Sequence, residues 1–128
     1  MIGYITIGTN DLPRAAAFYD TLFAEIGAGR LRESDRSIAW GTRADAPALG
    51  VCKPFDLQPA TAGNGTMIAL KMDAKAQVDA LHAKALQLGG QDEGAPGPRG
   101  PVEFGYYGAY FRDLDGNKLC AFCIAAAG

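Results

Sequence analysis

Between Ile2 and Thr9 the chain sets Ile5 and Ile7 against Tyr4 and Thr6, the period of two that marks a strand with two unlike faces. The period then lengthens. Ala15, Tyr19, Leu22, Phe23 and Ile26 form an apolar stripe at helical spacing, with Asp11 as a predicted N-cap, Pro13 in the first turn and Gly27 as the stop. Three short strand-like runs follow, Gly29–Glu33, Ser37–Gly41 and 48–53, divided by polar or proline-containing breaks. Residues 54–64 (PFDLQPATAGN) carry two prolines and no periodicity, and read as a linker. Alternation resumes over Thr66–Met72, after which Asp73 is the predicted cap of a second helix striped by Val78, Leu81, Ala85 and Leu88 and ended by Gly89 and Gly90. The Gly/Pro segment 94–101 is expected to be a mobile rim loop. A tyrosine-rich strand over 104–112, a turn over Asp113–Asn117 and a last strand over 119–124 complete the pattern.

The two halves can be laid over one another. Tyr4-Ile-Thr-Ile falls on Met67-Ile-Ala-Leu, and at nearly the same offset Gly27 falls on Gly89. The agreement in element order, capping acid and terminal glycine predicts a duplicated β-α-β-β-β module, one copy over 1–53 and the other over 65–128. A chain of 128 residues is long enough for one well-buried core, so both modules are expected within a single α+β domain.

Composition narrows the function classes. Apolar residues at 48% and charged residues at 20% are ordinary for a globular protein, which sets disorder aside. A formal charge of −2, with no clustered lysine or arginine, argues against a nucleic-acid partner. The apolar runs fall far short of the roughly 20 residues of a membrane span, and the start lacks the basic and apolar regions of a signal peptide. Three cysteines, an odd number, suit a reducing cytoplasm better than a disulfide framework.

Three stretches carry a family resemblance: Gly3–Leu12 (GYITIGTNDL) continuing to Phe18-Tyr19, the mid-chain strand and helix ending Leu-Gly-Gly, and Tyr110–Leu119 (YFRDLDGNKL). Together they resemble the glyoxalase/bleomycin resistance/extradiol dioxygenase families, the vicinal oxygen chelate superfamily. The resemblance implies two modules whose curved mixed sheets form a cup, often completed by dimerisation, holding a metal or a small molecule. Family enzymes place His, Glu or Gln ligands on the first and last strands of the modules. Carried across, those positions fall on Tyr4, Met67, Cys120 and, on the fourth strand, near Leu49, a set that lacks the imidazoles and carboxylates a divalent ion needs. No cofactor is therefore expected; a divalent metal would enter only if the aligned positions were displaced.

Other candidates are weaker. Cys120 and Cys123 form a Cys-x-x-Cys, but residues three apart on a strand point to opposite faces with α-carbons about 10 Å apart, so they can neither chelate one ion nor pair. Cys120 is expected to face the cup, while Cys123 and Cys52 are expected to be structural. His82, the one histidine, is expected at a helix edge or surface. Strand parity puts Ile5, Ile7, Ile68 and Leu70 under the helices, and Tyr4, Thr6, Met67, Ala69, Cys120 and Phe122 in the cup. Trp40 is added as an aromatic wall and Arg99 as a rim group for an anionic ligand. The expected function is binding of a small organic molecule in a metal-free cup by a cytoplasmic homodimer. The alternatives are a lyase, isomerase or dioxygenase of the same superfamily, using displaced metal ligands or Tyr4, Glu103 or Cys120 as acid, base or nucleophile, and a module whose cup is filled.

Overall fold

A computed structural model describes residues 1–124. The first module runs β1 (Tyr4–Gly8), α1 (Leu12–Ala24), β2 (Gly29–Glu33), β3 (Ser37–Gly41) and β4 (Ala48–Cys52). The second runs β5 (Ile68–Lys71), α2 (Lys75–Gln87), β6 (Gln91–Pro98), β7 (Tyr106–Arg112) and β8 (Lys118–Ile124), with a single 3-10 turn at Val102–Phe104. Each module forms its own four-stranded sheet, in the orders β1-β4-β3-β2 and β5-β8-β7-β6. In both, the first strand pairs in parallel with the last and the other pairs are antiparallel. The sequence repeat is thus a repeat of topology.

Local chemistry starts and stops the helices. The Asp11 carboxylate accepts from the Arg14 N–H at 3.1 Å, and Pro13 occupies the first turn where no N–H is needed. The predicted cap of α2 is corrected. Ala74, not Asp73, is the N-cap, and the Gln77 Oε1 reaches back to accept the Asp73 and Ala74 N–H groups at 2.7 and 3.2 Å. The expected rim loop is corrected as well: residues 91–98 are β6, the edge strand of the second sheet, with register shifts around Gly94 and Gly97. Prolines are tolerated there because an edge strand has N–H groups with no partner to lose.

The helices and one face of each sheet share one apolar core. Ile7, Ile38, Leu49 and Val51 of the first sheet and Ala109, Phe111, Leu119, Ala121 and Cys123 of the second are buried in it with Phe18, Tyr19, Leu22, Val78 and Leu81. Ile5, Ile68 and Leu70 pack against it, as parity predicts. The opposite faces of the sheets are left for the cup.

The Asp113–Asn117 turn locks the modules together. Asp113 is buried, and its two oxygens accept from the Tyr19 hydroxyl, the Asn117 side chain, and the Asp115 and Asn117 N–H groups at 2.5–3.0 Å. Asp115 accepts from the Thr9 hydroxyl at 2.6 Å and the Asn10 N–H at 2.9 Å, and Asn117 donates to the Gly8 carbonyl at 2.9 Å. A buried carboxylate this well supplied with donors meets little of the desolvation cost an unpaired one would. Gly116, at φ +86°, makes the reversal that brings these groups together.

Candidate functional site

Register decides which side chains share the concave faces. On the first sheet Tyr4 pairs with Ala48, Thr6 with Gly50 and Ser37 with Cys52, and all turn away from the helices. Tyr4 is 61% exposed, with the Arg32 guanidinium 5.4 Å above its ring. Arg36 lies in the same way 5.5 Å above Phe55, a residue of the linker. These groups bound an open cleft of about 760 Å³, with Ala39, Gly50 and Cys52 as its floor. Its walls come from the first module and the linker alone.

On the second sheet Ala69 pairs with Cys120 and Lys71 with Phe122, while Tyr110 pairs with Cys120 across β7 and β8. The Tyr106 ring stacks on Phe122 with centroids 5.5 Å apart and planes 10° from parallel. Its hydroxyl lies 3.0 Å from that of Tyr110 and 3.2 Å from the Cys120 sulfur. Arg99 and Lys118 each hold their charge 5.6 Å from the Tyr110 ring centre. Met67, 43% exposed and immediately before β5, lines a cleft with Arg112 and Lys118.

Trp40 is not a cup residue. It is 1% exposed and sits among Tyr19 and Phe23 beneath the helices, donating from Nε1 to Asp20 at 2.9 Å. It shares strand parity with Ile38, and Leu49, its registered neighbour, faces the core with it. The fourth-strand position aligned near Leu49 therefore moves to Gly50, the counterpart of Cys120 in the repeated register. His82 is likewise buried rather than at a surface; its Nε2 lies 3.0 Å from Asp92 Oδ1 on β6. Tyr106 and Tyr110 belong to the tyrosine-rich strand whose cup-facing side the sequence leaves open, and Lys118, Arg32 and Arg36 were not singled out from sequence. The antiparallel register across the 113–117 turn carries the signal for the tyrosines, since it places Tyr110 opposite Cys120.

Burial pushes the Cys120 thiol up, against the opposite pull of the Tyr106 and Tyr110 hydroxyls and of Lys118 and Arg99. Burial first, then the bonds to Cys120 and Tyr110, also hold the Tyr106 phenol above its ordinary range. A thiol that burial holds protonated is a poor nucleophile.

Comparison with known proteins places this geometry. The family model for the glyoxalase/bleomycin resistance protein/dioxygenase superfamily matches residues 1–121. The chain belongs to that superfamily. A solved glyoxalase/bleomycin resistance protein from Albidiferax ferrireducens is 35% identical, with a TM-score of 0.87 over 96% of this chain and 98% of the other. A family enzyme from Burkholderia phytofirmans (21% identity, TM-score 0.75, 96% and 98% covered) and a glyoxalase-related enzyme from Fulvimarina pelagi (22%, 0.73, 96% and 87%) share the fold. No curated protein matches the sequence.

Membership in the superfamily raises the question of a metal. The positions its enzymes use fall here on Tyr4, Gly50, Met67 and Cys120, which offer a phenol, a thioether, a thiol and no side chain at all. Among the described residues no three His, Cys, Asp or Glu side chains converge. Asp113 and Asp115 are acids in a superfamily motif, yet both already accept hydrogen bonds within the turn. The donor set does not fit a divalent cation.

Proposed function

We propose that this superfamily member binds a small aromatic molecule in its cup, without a divalent metal. The observation that carries the reading is the concave face of the second sheet: a stacked Tyr106–Phe122 pair beside Cys120, at the height where a superfamily enzyme would present a metal ligand. Stacked rings offer an aromatic guest both area and a preferred geometry. The Cys120 thiol and Tyr106 phenol, both held protonated by burial, favour retention over turnover, which sets the lyase, isomerase and dioxygenase readings behind it.

A second copy is proposed to complete the cup. The cleft over the first sheet draws on the first module and the linker only, and the exposed apolar side chains Tyr4, Phe55, Val102 and Phe104 would be covered by a partner's sheet. The described residues contain no helix long and apolar enough to cross a membrane, and three unpaired cysteines favour the cytoplasm as the working compartment. The test is a ligand-observed NMR screen of small aromatic fragments against protein purified without chelators and analysed for metals. Fragments that bind wild type and lose binding in Phe122→Ala, with no stoichiometric metal, support the proposal. A tightly held ion, or no fragment bound at the cup, overturns it.

A further inference from the structure

Charges are sorted across this molecule. Arg14, Arg30, Arg43, Lys84 and Arg112 each have a carboxylate within 4.0 Å. Arg32, Arg36, Lys53, Lys71 and Lys75 have none among the described residues but are exposed to solvent. Arg99 and Lys118 have none either, although both are half-buried and both lie on the cup side of the second sheet. In a chain with 14 acids to 12 lysines and arginines, two half-buried cations left without a carboxylate partner on one face need a reason.

Their surroundings are shaped for them. A β-carbon at Gly94 would come within 3.0 Å of the Tyr110 ring and 3.3 Å of the Arg99 guanidinium, and one at Gly97 within 3.1 Å of that guanidinium. One at Gly108 would strike the Tyr106 ring at 2.7 Å. Bare backbone thus lets Arg99 and Tyr106 lie flat across the sheet. Arg99 is tied down by donating to the Ala95 and Pro98 carbonyls at 2.7 and 3.1 Å, so its orientation is set before any ligand arrives. Lys118, two residues before Cys120 on β8 and of the same facing, holds its ammonium 5.6 Å from the centre of the same Tyr110 ring. The Tyr106 and Tyr110 hydroxyls complete a patch of donors beside the stacked Tyr106–Phe122 rings.

We propose that the molecule held in the cup is an aromatic acid, its carboxylate taken between Arg99 and Lys118 and its ring laid against Tyr106 and Phe122. This rests on the cup being a ligand site and adds the chemical class of the ligand. Cations over an aromatic face satisfy themselves only in part, and a carboxylate adds charge-assisted hydrogen bonds about twice as strong as neutral ones. A neutral aromatic of the same shape gains the stacking alone.

The test uses 1-naphthoate, its neutral amide 1-naphthamide and 1-naphthyl phosphate as probes, with calorimetry on wild type and on Lys118→Gln and Arg99→Gln. Naphthoate is expected to bind at least tenfold more tightly than the amide, to weaken with added salt, and to lose that advantage in either variant while amide binding is unchanged. Lys118→Gln leaves the Arg99 tether intact, so a folding defect in Arg99→Gln does not decide the outcome. Equal binding of acid and amide to wild type overturns the aromatic-acid assignment while leaving the cup a ligand site. Preferred binding of the phosphate over the carboxylate also overturns it, in favour of a phosphorylated ligand. Binding of none of the three overturns this assignment, and the fragment screen then shows separately whether the cup binds aromatics at all.

Discussion

Two aromatic residues on strands of one sheet show how much parity decides. Tyr4 and Trp40 look equally suited to a ligand wall, but Trp40 is 1% exposed and Tyr4 is 61% exposed. Trp40→Ala is expected to cost about 3–5 kcal/mol, as deletion of a large buried ring does. Tyr4→Ala should change stability by about 0.5 kcal/mol or less, the usual scale for an exposed side chain. Urea unfolding of both variants checks the pair, and a large loss at Tyr4 would mean its ring packs where it is here exposed. The thiols divide in the same way. Cys52 is half-exposed, whereas Cys120 and Cys123 are buried and burial pushes the Cys120 thiol up. Iodoacetamide at neutral pH should label Cys52 first, as mass spectrometry of the native protein would show; preferential alkylation of Cys120 would restore a nucleophilic role for it.

Among the elements, the 113–117 turn does most to hold the modules in place. Asp113→Ala removes the acceptor for four donors inside the protein, and the expected loss is about 3–5 kcal/mol, seen as a lowered unfolding midpoint. The same turn makes stability fall in alkali. Burial, then the Asp113 charge and hydrogen bond, raise the Tyr19 phenol well above its ordinary value of 10.0. Above that value the unfolded chain releases the proton while the folded chain keeps it, so stability present below pH 10 declines as pH rises. Urea midpoints followed from pH 8 upward should fall beyond pH 10 in wild type and fall less steeply in Tyr19→Phe. An unchanged slope in the variant would move the effect to Tyr106 and Tyr107, whose phenols are also raised.

At the scale of the whole molecule, the two concave faces need a cover. The cleft over the first sheet is bounded by one module and the linker, and Phe55, Val102 and Phe104 are 64–91% exposed. Light scattering is expected to give the mass of two copies at micromolar concentration. A monomer there would leave each half-cup open and would require the ligand to bind one sheet alone. If the proposed pairing holds, Phe55→Asp, which would put a charge into the covered surface, is expected to shift the protein toward monomer without lowering its unfolding midpoint by more than its loss of association explains.

Much of this was legible in the sequence because local chemistry suffices for it. Period-two and period-3.6 patterns, the Asp11 cap, Gly27 and Gly89 mark element type and order wherever they act within a few residues, and the repeated order marks a duplicated module; the superfamily entered through the resemblance of Gly3–Tyr19 and Tyr110–Leu119. Parity within β1, β5 and β8 was enough to sort Ile5 from Tyr4, Ile68 from Met67, and Cys123 from Cys120. Tertiary structure decided what depends on neighbours distant in the chain. Residues 91–98 hold too much Gly and Pro to form a strand unaided, and become one because β7 supplies hydrogen-bond partners to an edge that tolerates proline. Trp40 reads as amphipathic and could serve either face; it went inward because its register with Leu49 puts it opposite the rings of α1. Arg99 could be named from sequence only as a rim group, and Lys118 is an ordinary cation there; the pairing of β7 with β6 and β8 brings both to Tyr110. A one-dimensional pattern records which face a side chain takes on its own strand, whereas a site is a meeting of strands, and that meeting is fixed by packing.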